Sequence, residues 1–212
     1  MFFIKSVAIC LLFLVPFFSG GKDQKLYAIH GFTQGTDYNV RYYADSEKVS
    51  RQQIDSILLG IDSSMSLYKS YSLITNFNKS LTGITIDDGF LNVVRKAIQI
   101  SRETDGRFDI TVAPLVQLWG FGPLPVKGFP NDSAVHDALK YVGVKYLRIE
   151  GNFLKKTKSQ VQIDLNGIAQ GYSVDVVAAF LKKNGINSYI VEVGGEVVVK
   201  GPKPDGSGYK IG

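Results

Sequence analysis

Cysteine is nearly absent: Cys10 is the only one in 212 residues, and it lies in an apolar N-terminal stretch. Downstream of that stretch there is no thiol for a disulfide, a thiolate nucleophile or a cysteine zinc site, so stability must come from packing. Histidine is scarce too, with only His30 and His136, and neither belongs to an H-E-x-x-H pattern. No G-x-S-x-G elbow, no G-x-G-x-x-G opening a helix and no G-x-x-x-x-G-K-[ST] loop occurs. These gaps argue against a Ser-His-Asp hydrolase, a histidine zinc enzyme, a Rossmann dinucleotide site and a P-loop. The chain also lacks a long basic run. Its net charge is +5, and the densest cluster is LKKTK at 154–158, which reads as a solvated surface and not as a nucleic-acid face.

What is present is a globular composition, 45% hydrophobic and 20% charged, long enough for one domain with a sizeable core. The N-terminus reads MFFIKSVAICLLFLVPFFSGGK. Lys5 precedes an apolar stretch over 7–18 that is broken by Pro16. That stretch falls short of the roughly 20 apolar residues of a bilayer span and suits an export signal or an uncut N-terminal anchor over residues 1–20. Cleavage there would remove one charge, Lys5, and leave +4 on residues 21–212. Ile9 before Cys10 gives little support to lipidation.

Alternation on either side of a Gly-Thr turn predicts a hairpin over 26–43. Ser50 and Gln53 form a capping box ahead of the helical stripe Ile54, Ile57, Leu58, Ile61 and Met65. The stretch SLYKSYSLITNFN reads as an irregular loop. Asp87 or Asp88 caps a further helix, with Phe90, Val94, Ala97 and Ile98 inward and a stop near Gly106. Beyond it the spacing predicts a short helix over 133–142 and strands in YLRIE, NFLKKT and VQIDL. A long helix over 168–183, a strand SYIVEVGGEVVVKG and a last strand YKIG follow. Strands and helices mix without strict alternation, which makes the fold class α+β.

GRFDITVAPLVQLWGFG, residues 106–122, sets Asp109 in an apolar run and the only tryptophan, Trp119, near glycines. Trp119 and Phe121 are either a stacking wall for a planar ring or core. Asp164 precedes LNGIAQG, where a glycine turn and a helix start would present free backbone N–H groups to an anion. A structural helix cap explains Asp164 almost as well. Asp175 on the long helix reads as solvated. The paired glycines of VEVGGEVVV read as a bulge or as a close approach of backbone or ligand. The residues by themselves reach an exported domain with acids, glycine turns and an anion site, and no further.

GFTQGTDYNV, MSLYKSYSLITNFN, ETDGRFDITVAPLVQLWGFG, IDLNGIAQGYSVD and VEVGGEVVVKG, in this order, resemble the FAD:protein FMN transferase (ApbE) family. The third and fourth are the specific ones. The resemblance implies an ApbE-like α+β fold and a metal-dependent enzyme. Such an enzyme attaches FMN from FAD to a Ser or Thr of a target protein and releases AMP. Hydrolysis of FAD to FMN and AMP, or a flavin-binding remnant without catalysis, are the alternatives. Position by position, it implies Gln34 and Tyr68 at the flavin, with the Tyr68 ring on the isoalloxazine. Arg107, Phe108 and Asp109 would hold the adenosine end or the adjoining chain of FAD, and Asp164 and Gln170 would contact FAD. The Gly167 carbonyl would ligate Mg²⁺, with Asn78 and Thr111 in support. Asp109 and its flanks would then wall a FAD pocket with Trp119 packed beneath. No catalytic residue is assigned.

Three positions depart from the family: Gln34 where methionine is common, Asn166 where a second glycine stands, and Gln170 where lysine is frequent. Members also run on for roughly another domain's worth of chain, which supplies an aspartate and a hydroxyl-bearing residue to the metal. The expectation is therefore a transferase domain over 21–212 that is C-terminally incomplete. The resemblance further implies an acceptor in a membrane redox complex, such as the sodium-pumping quinone reductases, and with the N-terminal stretch as signal or anchor the expected place is the periplasmic side of the inner membrane.

Overall fold

The computed structural model describes residues 23–126 and 128–211. The segment read as a signal or anchor, with Cys10, lies outside the described residues. Among the described residues no helix is long and apolar enough to cross a membrane.

Among the described residues, two antiparallel sheets and six α-helices make up the fold, an α+β arrangement as expected. The larger sheet has the order β1-β2-β6-β7, from β1 (Lys25–Thr33), β2 (Thr36–Ala44), β6 (Ser188–Val193) and β7 (Glu196–Lys200). The smaller has β3 (Gly83–Thr85), β5 (Phe153–Lys156) and β4 (Leu147–Glu150) in the order β3-β5-β4. Alternation on β2 sends Tyr38, Val40 and Tyr42 inward, where they pack with Ile54 and Leu58 of α1 (Arg51–Met65) and Val177 and Leu181 of α6 (Asn166–Lys183). A second core gathers α2 (Leu73–Lys79), α3 (Asp88–Glu103) and the smaller sheet around Phe77, Phe90, Val94 and Leu154. Helix α1 joins the two, since Ile61 and Met65 enter this second core.

The Ser50–Gln53 capping box forms with both of its bonds, and Asp87 caps α3 by accepting from the Phe90 N–H at 2.7 Å. Several expectations are corrected. Residues 73–79, read as loop, form α2, because Ser72 caps the Thr75 N–H and lets Ile74 and Phe77 bury completely. VQIDL is not a ladder strand: the backbone of Ile163 bonds instead to the side-chain amide of Asn78, which donates to its carbonyl at 2.9 Å and accepts from its N–H at 2.8 Å. The glycines of VEVGGEVVV are neither bulge nor mid-strand. Gly194 and Gly195, at φ 57° and 94°, form the two-residue turn between β6 and β7. Residues 209–211 of YKIG form no strand.

The predicted helix over 133–142 is shorter and shifted, α5 (Asp132–Leu139), with Asn131 as its cap. In the 106–122 segment a 3-10 turn over Ile110–Val112 leads into α4 (Ala113–Leu118), opened by Pro114 in its first turn. Trp119 does not pack beneath a pocket: it is 49% exposed and meets Phe129 at 6.3 Å between ring centroids.

Lys156 of β5 is 3% exposed. Its ammonium donates to the Val161 carbonyl at 2.9 Å and the Asn78 carbonyl at 3.4 Å and lies 5.0 Å from the Phe77 ring centroid. Burial pushes this lysine down to about 8 from 10.5. Between those two values the unfolded chain binds more protons than the folded one, so stability rises with pH there and the penalty is fully present below about 8. Urea unfolding at pH 7 and 9.5 should find the wild type gaining about 2 kcal/mol relative to Lys156→Met. Parallel pH profiles would contradict a buried ammonium.

Candidate functional site

A cleft of about 1120 Å³ lies between the β1–β2 turn, one face of α1, the loop after α1 and the first turns of α6. That is ample for a dinucleotide-sized ligand. Gln34, Tyr68 and Gln170 all line it, although they are remote from one another in sequence. Tyr68 is 67% exposed in the α1–α2 loop, so its ring is free to serve as a platform. Helix α1 and its C-cap turn Asp55, Leu59, Asp62 and Ser66 toward the cleft. These follow an i, i+4, i+7, i+11 spacing, a second stripe beside the apolar one that was legible and passed unread.

The cleft floor is polar at both ends. Near the start of α1, Asp55 accepts from the Tyr38 hydroxyl and pairs with Arg51 at 3.3 Å. Burial, then the hydrogen bond to Asp55, raises Tyr38 to about 12, so the phenol stays protonated. At the other end, burial raises the Asp62 carboxyl while the nearby Lys69 ammonium opposes it.

Asp164 and Gly167 sit at the start of α6, next to the cleft-lining Asn166 and Gln170. Asp164 is 8% exposed and accepts from the Asn166 N–H at 2.7 Å. Burial raises its carboxyl, and this one hydrogen bond works against the rise. The helix start is less open than expected. The Ile168 and Ala169 N–H groups donate to the Leu165 carbonyl and that of Asn166 goes to Asp164, which among these first-turn groups leaves the Gly167 N–H without a protein partner among the described residues.

Phe108 touches the other side of this helix start. A Cβ on Gly167 would lie 3.5 Å from the Phe108 ring. Phe108 and Arg107 line a second depression of about 400 Å³ with Thr104 and Asp105. Phe108 thus links the helix start to this second hollow. Asp109 points inward: Oδ1 accepts from the Thr111 N–H and hydroxyl at 2.7 and 2.6 Å, and Oδ2 accepts from the Val144 N–H at 3.1 Å. Thr111 in turn accepts from the Gly143 N–H at 2.6 Å. Asp109 and Thr111 pin the 107–112 loop to the 143–144 turn, and Asn78 fixes the approach to Asp164. Asp175 is exposed on α6, as read.

Among the described residues no three acidic, histidine or cysteine side chains come together to hold a metal. Magnesium, however, is commonly bound through one or two carboxylates with waters and substrate phosphates. One buried carboxylate, raised by burial and close in sequence to the Gly167 carbonyl, is compatible with that mode.

Gly194 packs against the cleft. At φ 57° a Cβ there would fall 2.7 Å from the Gln170 amide nitrogen and 2.9 Å from the Thr36 methyl. Gly194→Ala should cost about 1–2 kcal/mol and push Gln170 out of place, weakening ligand binding in an equilibrium titration. Gly195→Ala, where nothing lies within 4 Å of the added Cβ, carries the strain alone and should leave binding unchanged.

The ApbE family's sequence profile matches residues 34–212. The FAD:protein FMN transferase of Vibrio cholerae is 38% identical over 191 residues, covering 86% of this chain and 57% of that protein. That of Haemophilus influenzae is 36% identical over 205 residues, covering 90% and 59%. The chain thus spans a little under three fifths of the length of these relatives. Among solved structures, the flavin transferase ApbE from Vibrio cholerae superposes with a TM-score of 0.84 at 36% identity, over 89% of this chain and 63% of that one. The apo flavinyl transferase ApbE of Pseudomonas stutzeri gives 0.83 at 35% identity, over 89% and 65%.

Proposed function

Because this chain belongs to the ApbE family, we propose that its cleft binds FAD and that the protein is a FAD:protein FMN transferase. The observation that carries this reading is the convergence of Gln34, Tyr68 and Gln170 on one cleft beside the α6 start. In the proposed complex the Tyr68 ring carries the isoalloxazine, and the Gln34 and Gln170 amides contact the bound dinucleotide. The helix start at Asp164 and Gly167 lies under the pyrophosphate. Arg107 and Phe108 in the second hollow take the adenosine side, with Asp109 holding their loop.

The reaction exchanges the phosphoanhydride linkage of FAD for a phosphoester to the acceptor. An acceptor Ser or Thr oxygen bonds to the FMN phosphorus, the bond from that phosphorus to the bridging oxygen breaks, AMP departs, and the hydroxyl proton is released. Mg²⁺, held in part by the Gly167 carbonyl near Asp164, would neutralise charge on the phosphates. The residues of this chain bind and orient FAD, and positioning of that kind is the larger part of phosphoryl-transfer catalysis. From the N-terminal segment 1–20 we further propose an exported protein acting on the periplasmic side of the inner membrane, anchored there if that segment is retained. The proposed acceptor is a subunit of a membrane redox complex.

The test is incubation with FAD, Mg²⁺ and a flavoprotein bearing an acceptor Ser or Thr. Flavin fluorescence that stays with the acceptor through denaturing electrophoresis is expected. Free FMN and AMP without labelling would replace transfer by hydrolysis, and bound but unchanged FAD would reduce the protein to a flavin binder.

A further inference from the structure

Gln34 occupies an unusual backbone position. It is a non-glycine residue at φ 51° in the two-residue turn between β1 and β2, followed by Gly35 at φ 75°. Such turns favour Asn-Gly or Gly-Gly, and a longer side chain in the left-handed region is disfavoured. Strain of this kind points to a local role. Here the side chain reaches across the mouth of the cleft to α6, where its amide nitrogen donates to the Ser173 hydroxyl at 2.7 Å across 139 residues of sequence.

Ser173 is completely buried, and its hydroxyl donates to the Ala169 carbonyl at 2.8 Å. A hydroxyl has one proton. Once that proton goes to Ala169, Ser173 can only accept from Gln34, which fixes the orientation of the glutamine amide. The NH₂ end faces the helix. The Oε1 end makes no hydrogen bond among the described residues, while Gln34 lines the cleft with Tyr68, Asn166 and Gln170.

We propose that Ser173 is a positioning residue that turns Gln34 so that its Oε1 accepts a hydrogen bond from a ring N–H of the bound flavin. This rests on the reading of the cleft as the FAD site. An oxidised isoalloxazine has a single ring N–H, at N3, and its dimethylbenzene edge offers no donor. An acceptor fixed beside the Tyr68 platform therefore selects the pyrimidine edge and sets which way round the ring lies. A hydroxyl buried in α6 thus controls ligand orientation without touching the ligand.

The test compares the affinity of the full chain for FAD and for FAD methylated at N3, by quenching of flavin fluorescence. The wild type should bind FAD about three- to tenfold more tightly, the size of one neutral hydrogen bond. Gln34→Met should bring the ratio close to one, and Ser173→Ala should lower it severalfold. The double variant should match Gln34→Met alone, because Ser173 acts only through Gln34. A buried serine that merely stabilises α6 would alter the melting temperature and leave the ratio untouched. If Ser173→Ala does not fold, the Gln34→Met ratio still decides. Equal affinity of the wild type for both ligands overturns the proposal while leaving FAD binding intact. Failure to bind either ligand overturns the FAD reading and this one with it.

Discussion

Replacing Asn78 by alanine is expected to remove about 2–4 kcal/mol of stability and most of the flavin-dependent activity. Both effects have one cause. Residues 161–165 approach α6 outside any ladder, and the Asn78 amide satisfies both backbone groups of Ile163 at 2.8 and 2.9 Å. Ile163 is completely buried, so no water takes over when the amide is gone. Two unsatisfied polar groups remain, and the segment that aims Asp164 loses its anchor. In the proposed site, a misplacement of Asp164 near 1 Å would cost about a hundredfold in rate. Urea unfolding reads the first effect and FAD turnover at saturating Mg²⁺ the second. Asn78→Asp keeps the acceptor but sets a carboxylate against the Ile163 carbonyl, and should be at least as damaging. Wild-type stability in Asn78→Ala would mean that the segment is held by something else.

Tyr68→Ala should behave in the opposite way, with binding lost and stability kept. The side chain is two-thirds exposed, and removal of an exposed ring from a loop changes folding by about 0.5 kcal/mol or less. A planar ring stacked on it would lose about 1–3 kcal/mol, roughly ten- to a hundredfold in affinity. Tyr68→Phe keeps the face and should keep most of the binding. Thermal melts and FAD titrations of the two variants separate these outcomes. If Tyr68→Ala binds FAD as the wild type does, the ring is not the platform.

Much of the scaffold was legible because it rests on local signals. The Ser50–Gln53 box, the Asp87 cap and the alternation of β2 each fix one element from a few residues. What escaped depends on contacts distant in sequence. VQIDL has the alternation of a strand, and only the approach of Asn78, 85 residues away, gives its backbone a different partner. Helix α2 was hidden in a Ser- and Asn-rich stretch, where Ser72 acts as a cap and not as a loop residue.

The site divides along the same line. Gln34, Tyr68 and Gln170 were named through family resemblance, and their convergence on one cleft belongs to tertiary structure. Asp62, Lys69 and Ser173 were not named at all. Asp62 had a periodic signal along α1, whereas Ser173 had none beyond lying three residues after Gln170. Asp109 drew notice as an acid in an apolar run, and both of its oxygens prove to be bonded inside its own loop and to the 143–144 turn.

Titration of the purified protein with FAD, followed by quenching of flavin fluorescence with and without Mg²⁺, tests the central claim most directly. The account predicts saturable, one-to-one quenching that depends on the Tyr68 ring. Flavin fluorescence that stays at its free value across the titration, in both conditions, would contradict it.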